Sequence, residues 1–544
     1  MLVSDRPQRS SCRSLRSLVE QGSSLDFIAA QSRRTLFGAL VDACATHGGR
    51  TRIVEDQDRR PLSYADLIRA AFALGRPLGR MTSPGEHVGV LLPTSLGVVI
   101  TMFALHATGR IPVMLNFTAG ARNVRSACGA AVVRRILTSR RFIAKMRLED
   151  LLEDLSSVAD ITYLEDIRGQ IGALDRAYAA LAGVAPRRFA AEGNPDDIAV
   201  ILFTSGSFGA PRGVALSHAN LLSNVAQVAA HIPLDPNWLW FNPLPVFHSF
   251  GLTGGVLLPL MQGLRAFHYP SPLDYKAIPG LVRETKASVL LSTDTFVNQY
   301  ARSPQAADLS TLELIVCGAE RVHHETHEMI MSRFGVTIVE GYGVTEASPV
   351  VAINKPDDNR RGTVGQLLPG LEAQLKPVEN ISEGGRLHLR GPNIMAGYLG
   401  QGLTIEPPEG GWYDTGDIVT IDGDGWVRIL GRAKRFAKIG GEMVSLTAVE
   451  ELICGLWPDN RHAVVSLSDP NKGERLVLVT DRQDAEPAAL LAYFKTAGAP
   501  QLAAPRRILR IDVLPTLGSG KTDYVAIQRM AEGGGEVGNS QLPS

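Results

Sequence analysis

Between about Leu36 and Leu281, short apolar runs alternate with helical patterns, and no other feature limits the fold as tightly. The run HVGVLLP (87–93) is short and continuously apolar, as a strand covered on both faces would be. LGVVITMFALHATG (96–109) follows almost at once and is apolar all round, so it suits a buried helix. Repetition of this order implies a sheet with helices packed on its faces, an α/β body. Further along, GRLHLRG (385–391) and IVTIDGDGWVRILG (418–431) read as short strands, with Asp422, Gly423, Asp424 and Gly425 supplying turn chemistry. After Gly431 a basic, loop-like stretch precedes a helical SLTAVEELICGL (445–456) and the strands HAVVSLS (462–468) and RLVLVTD (475–481). The expected organisation is a disordered N-terminal extension over 1–34, a large domain over 35–431, a small α+β domain over 432–530, and a disordered tail over 531–544. The large domain should hold α/β subdomains and a β-rich one.

Length supports more than one unit, since 544 residues exceed the roughly 100–200 of a single domain. An apolar content of 45% excludes global disorder. The 55 basic and 55 acidic side chains cancel, so nucleic acid, which is held by concentrated positive charge, is not an expected partner. Cys12, Cys44, Cys128, Cys317 and Cys454 are odd in number and scattered, with neither a C-x-x-C pair nor metal-ligand spacing, which fits a reducing cytoplasm. No apolar run reaches the roughly 18 residues of a spanning helix. The best, Gly251 to Leu264, is broken by glycine, proline and glutamine and reads as packed interior. Arg6, Arg9, Arg13 and Arg16 stand among serines near the start, without the apolar core of a secretory signal. A disordered segment is expected there, with peripheral membrane contact as the alternative.

The most informative segment is ILFTSGSFGAPRGVALSHANL (201–221), an apolar strand followed by hydroxyls, glycines and one arginine, with a helix beginning near Ser217. Small residues let backbone N–H groups approach an anion, Thr204, Ser205 and Ser207 add hydroxyls, and Arg212 adds a permanent charge. That is the chemistry of a phosphate cradle, although a glycine-rich surface turn has the same composition. Neither the Walker spacing nor the dinucleotide fingerprint G-x-G-x-x-G is present. LGSGKTDY (517–524) imitates the close of a Walker loop, but Pro515 stands where its first glycine should be, so Lys521 needs another explanation.

TSGSFGAPRGV, EGYGVTE (340–346), WYDTGD (412–417), GRAKRFAKIGGE (431–442) and GSGKTD (518–523) occur in this order at wide separation. Together they resemble the adenylate-forming superfamily of acyl- and aryl-CoA synthetases, adenylation domains and luciferases, over about residues 35–530. The resemblance implies ATP and Mg²⁺ as cofactors and a small mobile domain closing over a large one. It assigns Thr204, Ser205, Gly206, Ser207, Gly209, Arg212 and Gly213 to the β- and γ-phosphates, with Arg212 where many relatives carry lysine. It assigns Gly318, Ala319 and Glu320 to the adenine edge, and Tyr342, between Gly341 and Gly343, to its face. Thr345 would touch phosphate, Glu346 would hold Mg²⁺, and Asp417 with Arg432 would take the ribose hydroxyls. Lys521 would offset charge at the α-phosphorus, Lys434 would be the hinge, and Lys438, Gly440 and Gly441 would line a thiol tunnel. Taken singly, Tyr342 also fits a packed core aromatic, Asp417 a turn residue and Glu346 a solvated acid.

In the same resemblance WFNPLPVFHSFGLTGGVLLPL (240–260) lines the acyl site, with His248 near the carboxylate. Phe247, Phe250, Gly251 and Gly255 would shape an apolar pocket, the glycines leaving a passage for the acyl chain, with a core histidine at a helix start as the alternative for His248. Phe247, His248 and Ser249 offer no carboxylate for a substrate ammonium, so a medium- or long-chain fatty acid is favoured over an amino acid. LPVFHSFGLTGG (244–255), PSPLDYKAIPGLV (270–282), TDTFVNQYAR (293–302) and KIGGEMVSLTAVEE (438–451) are similar to the acyl-carrier-protein synthetase half of bacterial 2-acylglycerophosphoethanolamine acyltransferases. The resemblance therefore implies acyl carrier protein as thiol acceptor, with coenzyme A as the alternative and a non-catalytic nucleotide-binding scaffold as a third reading. Arg435, Arg461, Arg506, Arg507 and Arg510 could meet an acidic carrier or the phosphates of coenzyme A.

Overall fold

A computed structural model describes residues 24–205, 211–303, 306–379, 381, 383–439, 442–469, 473–497, 499–500, 503–517 and 521–533. The chain divides into two compact units. One runs to Arg361 and adds Gly365–Glu372 and Arg390–Tyr413. The other holds Gly362–Val364, Ala373–Leu389 and the chain from Asp414 onward.

Two large sheets organise the first unit. One has the order Ile405–Glu406, Gly397–Leu399, Pro211–Ser217, Ile198–Ser205, Ile111–Met114, His87–Val90, Arg135–Thr138 and Asp160–Tyr163. Its last four strands pair in parallel, as connections through helices require. Helix Leu96–Ala107 is buried along Val98, Val99 and from Thr101 to Ala107, as its all-round apolar sequence requires. The second sheet runs Gln366–Leu367, Val350–Ile353, Thr337–Gly343, Leu314–Cys317, Val289–Ser292, Leu239–Asn242, Arg265–His268, Arg52–Asp56 and Leu62–Ser63. Its central strands are parallel, which brings several carboxyl ends to one edge, where α/β sheets commonly bind ligands.

The second unit carries two smaller sheets. Tyr413–Ile421 and Val427–Arg432 form the expected hairpin, whose turn is held by Asp422 Oδ1 accepting from the N–H groups of Asp424 and Trp426. The other sheet pairs Glu442–Ser445, Phe436–Ile439, Gly473–Thr480 and His462–Asp469, with Arg507–Arg510 alongside. Alternation along its strands feeds two cores. Val464, Leu476 and Leu478 pack with helices Leu446–Leu456 and Pro487–Thr496, whereas Ala463, Val465, Val477 and Val479 pack with Ile527 of helix Tyr524–Glu532.

Two boundary expectations are corrected. Residues 24–32 are helical, Ile28 is buried and Arg33 bridges Asp196, so the stretch before Thr35 is ordered in its described part. Ala531 is buried at the end of the last helix, so order continues past the expected limit at 530. Residues 1–23 and 534–544 lie outside the described residues. No helix among the described residues is long and apolar enough to cross a membrane.

Candidate active site

The hydroxyl- and glycine-rich segment is the head of a hairpin. Thr204 pairs with Arg212 and Ser205 with Pro211, and Ser217 then caps helix His218–His231. The strand Pro211–Ser217 between loop and helix was not expected. Its signal was GVAL, an apolar run long enough for a buried strand. Gly213 is packed under Leu399 of the neighbouring strand, so its small size serves sheet packing. Gly206, Ser207 and Gly209 lie outside the described residues.

Gly318, Ala319 and Glu320 follow strand Leu314–Cys317, which pairs in register with Thr337–Gly343 through Cys317 and Glu340. Ala319 has φ +68°, a left-handed backbone uncommon outside glycine, and the Glu320 carboxylate accepts from the Thr295 N–H. A Cβ at Gly318 would lie 3.5 Å from the Gly341 carbonyl and 3.3 Å from the Phe250 ring, so the two motifs are side by side. Tyr342 is buried, which leaves its packed-aromatic reading standing beside the base-contacting one. Glu340 in the same motif is structural: it accepts from the Val322 N–H and meets His327.

After Gly343 the chain makes a sharp turn that presents Thr345 and Glu346. A Cβ at Gly343 would sit 2.4 Å from the Pro349 carbonyl, so the path needs glycine. Buried amides fix the turn. Asn224 holds both polar groups of Val350, and Asn393 donates to the Ala347 carbonyl while its own carbonyl accepts from Ser348. Thr345 accepts a 3.4 Å hydrogen bond from Ser249, which ties this turn to the segment after His248.

Glu346 is only 7% exposed. Tyr398 donates to its Oε1 at 2.8 Å, and the Arg212 guanidinium lies 3.3 Å above the Tyr398 ring, with the Tyr413 phenol nearby. Burial, with the nearby Glu346 charge, pushes both phenols above their ordinary range, so both remain protonated donors. Neither tyrosine was expected at the site. WYDTGD and AGYLG carry them, but only the fold shows what they touch.

In the second unit Asp417 and Arg432 face each other across the hairpin, Arg432 Nε donating to Asp417 Oδ1 at 3.1 Å. Asp417 is buried and Arg432 largely exposed. Lys434 is exposed in the turn Ala433–Arg435, and the Lys438 ammonium lies 3.7 Å from Glu379. Lys521 is half-buried and its carbonyl accepts from the Leu517 N–H. Gly440 and Gly441 lie outside the described residues. Arg435 is withdrawn from the basic surface expected for an acceptor: it forks onto Glu450 and the Val464 carbonyl beneath Tyr524. Arg510 likewise binds the Ala485 carbonyl and Glu486.

The acyl-side residues require a larger correction. Phe250–Leu257 is a π-helix running into helix Leu258–Gln262, and the Leu258 N–H reaches back five residues to Thr253. Pro259 accounts for this, because its ring would clash with the carbonyl four residues back in a regular α-helix. Gly251 and Gly255 do not open a passage. A Cβ on Gly251 would lie 2.3 Å from the Pro245 carbonyl, and one on Gly255 would lie 2.0 Å from the Asn242 amide. Both are glycine because backbone and amide occupy that space. Phe247 is buried against Phe117 and the His248 ring, while Phe250 faces Gly318. Val246, Leu252 and Val256 meet Val98, Met102 and Met114 in an apolar crevice too tight for water.

Among the described residues no cluster of three or more histidine, cysteine or acidic side chains could hold a metal alone. Glu346 nevertheless fits Mg²⁺, which commonly takes one protein carboxylate beside phosphate oxygens and water.

Comparison with known proteins identifies the family. The family described as AMP-binding enzyme matches residues 40–399. A feruloyl-CoA synthase of Amycolatopsis sp is 29% identical over 87% of this chain and 93% of its own. A medium-chain fatty-acid–CoA ligase of Escherichia coli K12 is 30% identical over 61% of each chain. Among solved structures, ATP-bound MatB from Rhodopseudomonas palustris superposes with a TM-score of 0.78 at 23% identity, covering 92% of this chain and 99% of that one.

Proposed function

The chain belongs to the AMP-binding enzyme family, and from that premise we propose that it is an AMP-forming acid–thiol ligase. It joins a carboxylic acid with an apolar body to ATP, releasing pyrophosphate, and passes the acyl group to coenzyme A. The observation that carries this reading is the convergence, at the carboxyl ends of adjacent strands, of Gly318 and Gly341 with the turn that presents Thr345 and Glu346, beside Arg212.

The chemistry follows from what a carboxylate lacks, a good leaving group. Its oxygen attacks the α-phosphorus, the bond to the bridging oxygen of pyrophosphate breaks, and AMP becomes the leaving group of a mixed anhydride. Negative charge gathers on the phosphates during attack, so fixed cations are needed there. Arg212 and Thr345 serve the phosphates, and Lys521 serves the α-phosphoryl oxygens. Glu346 would hold Mg²⁺, which supplies charge neutralisation to the phosphate oxygens. Asp417, buried and hydrogen-bonded to Arg432, accepts from the ribose hydroxyls. His248 beside Phe247 and Phe250 beside Gly318 border the acid. In the second step the thiolate attacks the anhydride carbonyl and AMP departs.

Coenzyme A takes precedence over acyl carrier protein because the relatives at hand are named as coenzyme A ligases or synthases. The carrier protein rests on sequence resemblance alone. Those names span feruloyl, medium-chain and long-chain acyl groups, which supports an apolar acid and leaves fatty acids as the first class to offer. The test is ATP–pyrophosphate exchange over a panel of fatty and aryl acids, followed by mass spectrometry of products with coenzyme A and, separately, carrier protein. Exchange with an apolar acid and a coenzyme A thioester are expected. Exchange confined to amino acids, or none with any acid, overturns the reading.

A further inference from the structure

We propose that Tyr398 is a positioning residue that ties the Glu346 carboxylate to the phosphate-side Arg212. The inference deepens the proposed function and rests on its assignment of Glu346 to the metal.

The connection is built by strand register. Gly397–Leu399 lies antiparallel to Pro211–Ser217, with Tyr398 opposite Val214. Arg212, two residues from Val214, is the diagonal neighbour on the same face, within reach of a long side chain. Its guanidinium accordingly lies on the Tyr398 ring at 3.3 Å, a favourable stack of a planar cation on an aromatic face. The hydroxyl end of the same ring meets Glu346 at 2.8 Å. A phenol has one proton to give, and Tyr398 gives it to Glu346. One ring therefore has a cation on its face and a carboxylate at its tip.

Geometry assigns the consequence. A glutamate side chain has three rotatable bonds, and a ligand carboxylate must be aimed before the metal arrives if binding is not to spend affinity on ordering it. Backbone contacts fix the base of Glu346, since its carbonyl accepts from Met395, and the Tyr398 hydroxyl fixes the far end by holding Oε1. Tyr398 touches neither nucleotide nor acid in this account and acts through its two neighbours.

The experiment compares wild type with Tyr398→Phe and Tyr398→His. The first keeps the ring under Arg212 and removes only the hydroxyl. ATP binding is measured by titration calorimetry without any carboxylic acid, once with Mg²⁺ and once with EDTA. Pyrophosphate exchange is measured separately as a function of Mg²⁺, and the melting temperature of each variant is recorded. For Tyr398→Phe the gain in ATP affinity from Mg²⁺ falls about 10- to 100-fold, the scale of one hydrogen bond to a charged group, while affinity in EDTA stays as in wild type. Tyr398→His, which keeps a ring and a donor at shorter reach, shifts the same quantity less and in the same direction, and it carries the test alone if Tyr398→Phe does not fold. Equal losses with Mg²⁺ and EDTA, or no loss, overturn the inference and leave the proposed function intact. Wild type showing no exchange and no Mg²⁺-dependent gain overturns both.

Discussion

Replacing Gly255 by alanine separates a glycine that opens a passage from one that packs. The added Cβ falls 2.0 Å from the Asn242 side-chain nitrogen. That amide is fully buried and works at both ends, donating to the Gly251 carbonyl at 3.2 Å and accepting from the Leu244 N–H at 3.1 Å. Displacing it leaves buried polar groups unpaired at roughly 1–3 kcal/mol each, and forcing a methyl group into filled space adds about 1–3 kcal/mol. A total on the order of 3–9 kcal/mol is a large share of the roughly 5–15 kcal/mol that holds a folded protein together. Guanidinium denaturation followed by tryptophan fluorescence suits the site, because Trp240 is buried on the same strand as Asn242. Gly254→Ala is the control. Its Cβ meets the edge of the Phe250 ring at 3.1 Å, and a ring can turn, so a loss near 1 kcal/mol is expected together with altered acid preference. A Gly255→Ala protein as stable as wild type that accepts shorter acids would refute this reasoning and restore the passage.

Lys521→Ala is expected to slow pyrophosphate exchange by about two to four orders of magnitude, the scale of one lost electrostatic partner in a charge-gathering transition state. Transfer from supplied acyl-adenylate to coenzyme A should suffer far less, and equal losses would remove Lys521 from the first step. Glu346→Gln should raise the Mg²⁺ concentration needed for half-maximal exchange at least tenfold, since a neutral amide is a poorer ligand for a hard cation; an unchanged requirement rejects the assignment. Burial pushes the imidazoles of His106, His218 and His268 down from 6.5 to about 4, 3 and 4. The unfolded chain takes up these protons near pH 6.5 while the folded chain does not. Their contribution is therefore complete above pH 6.5 and is lost toward pH 4, by about 1.4 kcal/mol per histidine per pH unit. A denaturation midpoint that is flat between pH 6.5 and 4.5 contradicts this.

Periodicity made the fold legible wherever one segment's pattern decided its own state. HVGV and the helix from Leu96 were readable because both are buried on all sides, and the hairpin after Tyr413 because Asp422 to Gly425 can do little but turn. The site was legible only as ordered short motifs, since no local pattern reports a contact between residues far apart in sequence. Asn224, Asn393 and Tyr398 illustrate the limit. Asn224 lies within a helix, Asn393 in a loop and Tyr398 on a short strand, and nothing near them in sequence points to the turn around Glu346 that they support. Arg435 fails in the opposite sense. A charge in a basic stretch reads as surface, and only the fold brings Glu450 and the Val464 carbonyl to bind it.

The glycines show why composition misled on the acyl side. A glycine is required where something occupies the place of its side chain, and that occupant can be a ligand or the protein itself. At Gly251, Gly255 and Gly343 the occupants are the Pro245 carbonyl, the Asn242 amide and the Pro349 carbonyl. At these positions glycine marks a close approach of the protein to itself rather than access. Gly343 lets the chain cross itself closely enough to present Thr345 and Glu346 from a turn braced by Asn224 and Asn393. The π-helix glycines bring Phe250 against Gly318 in the same way. Close backbone crossings give few alternative packings, so the groups they carry are aimed before any substrate arrives, and preorganised groups stabilise developing charge without the cost of moving into place.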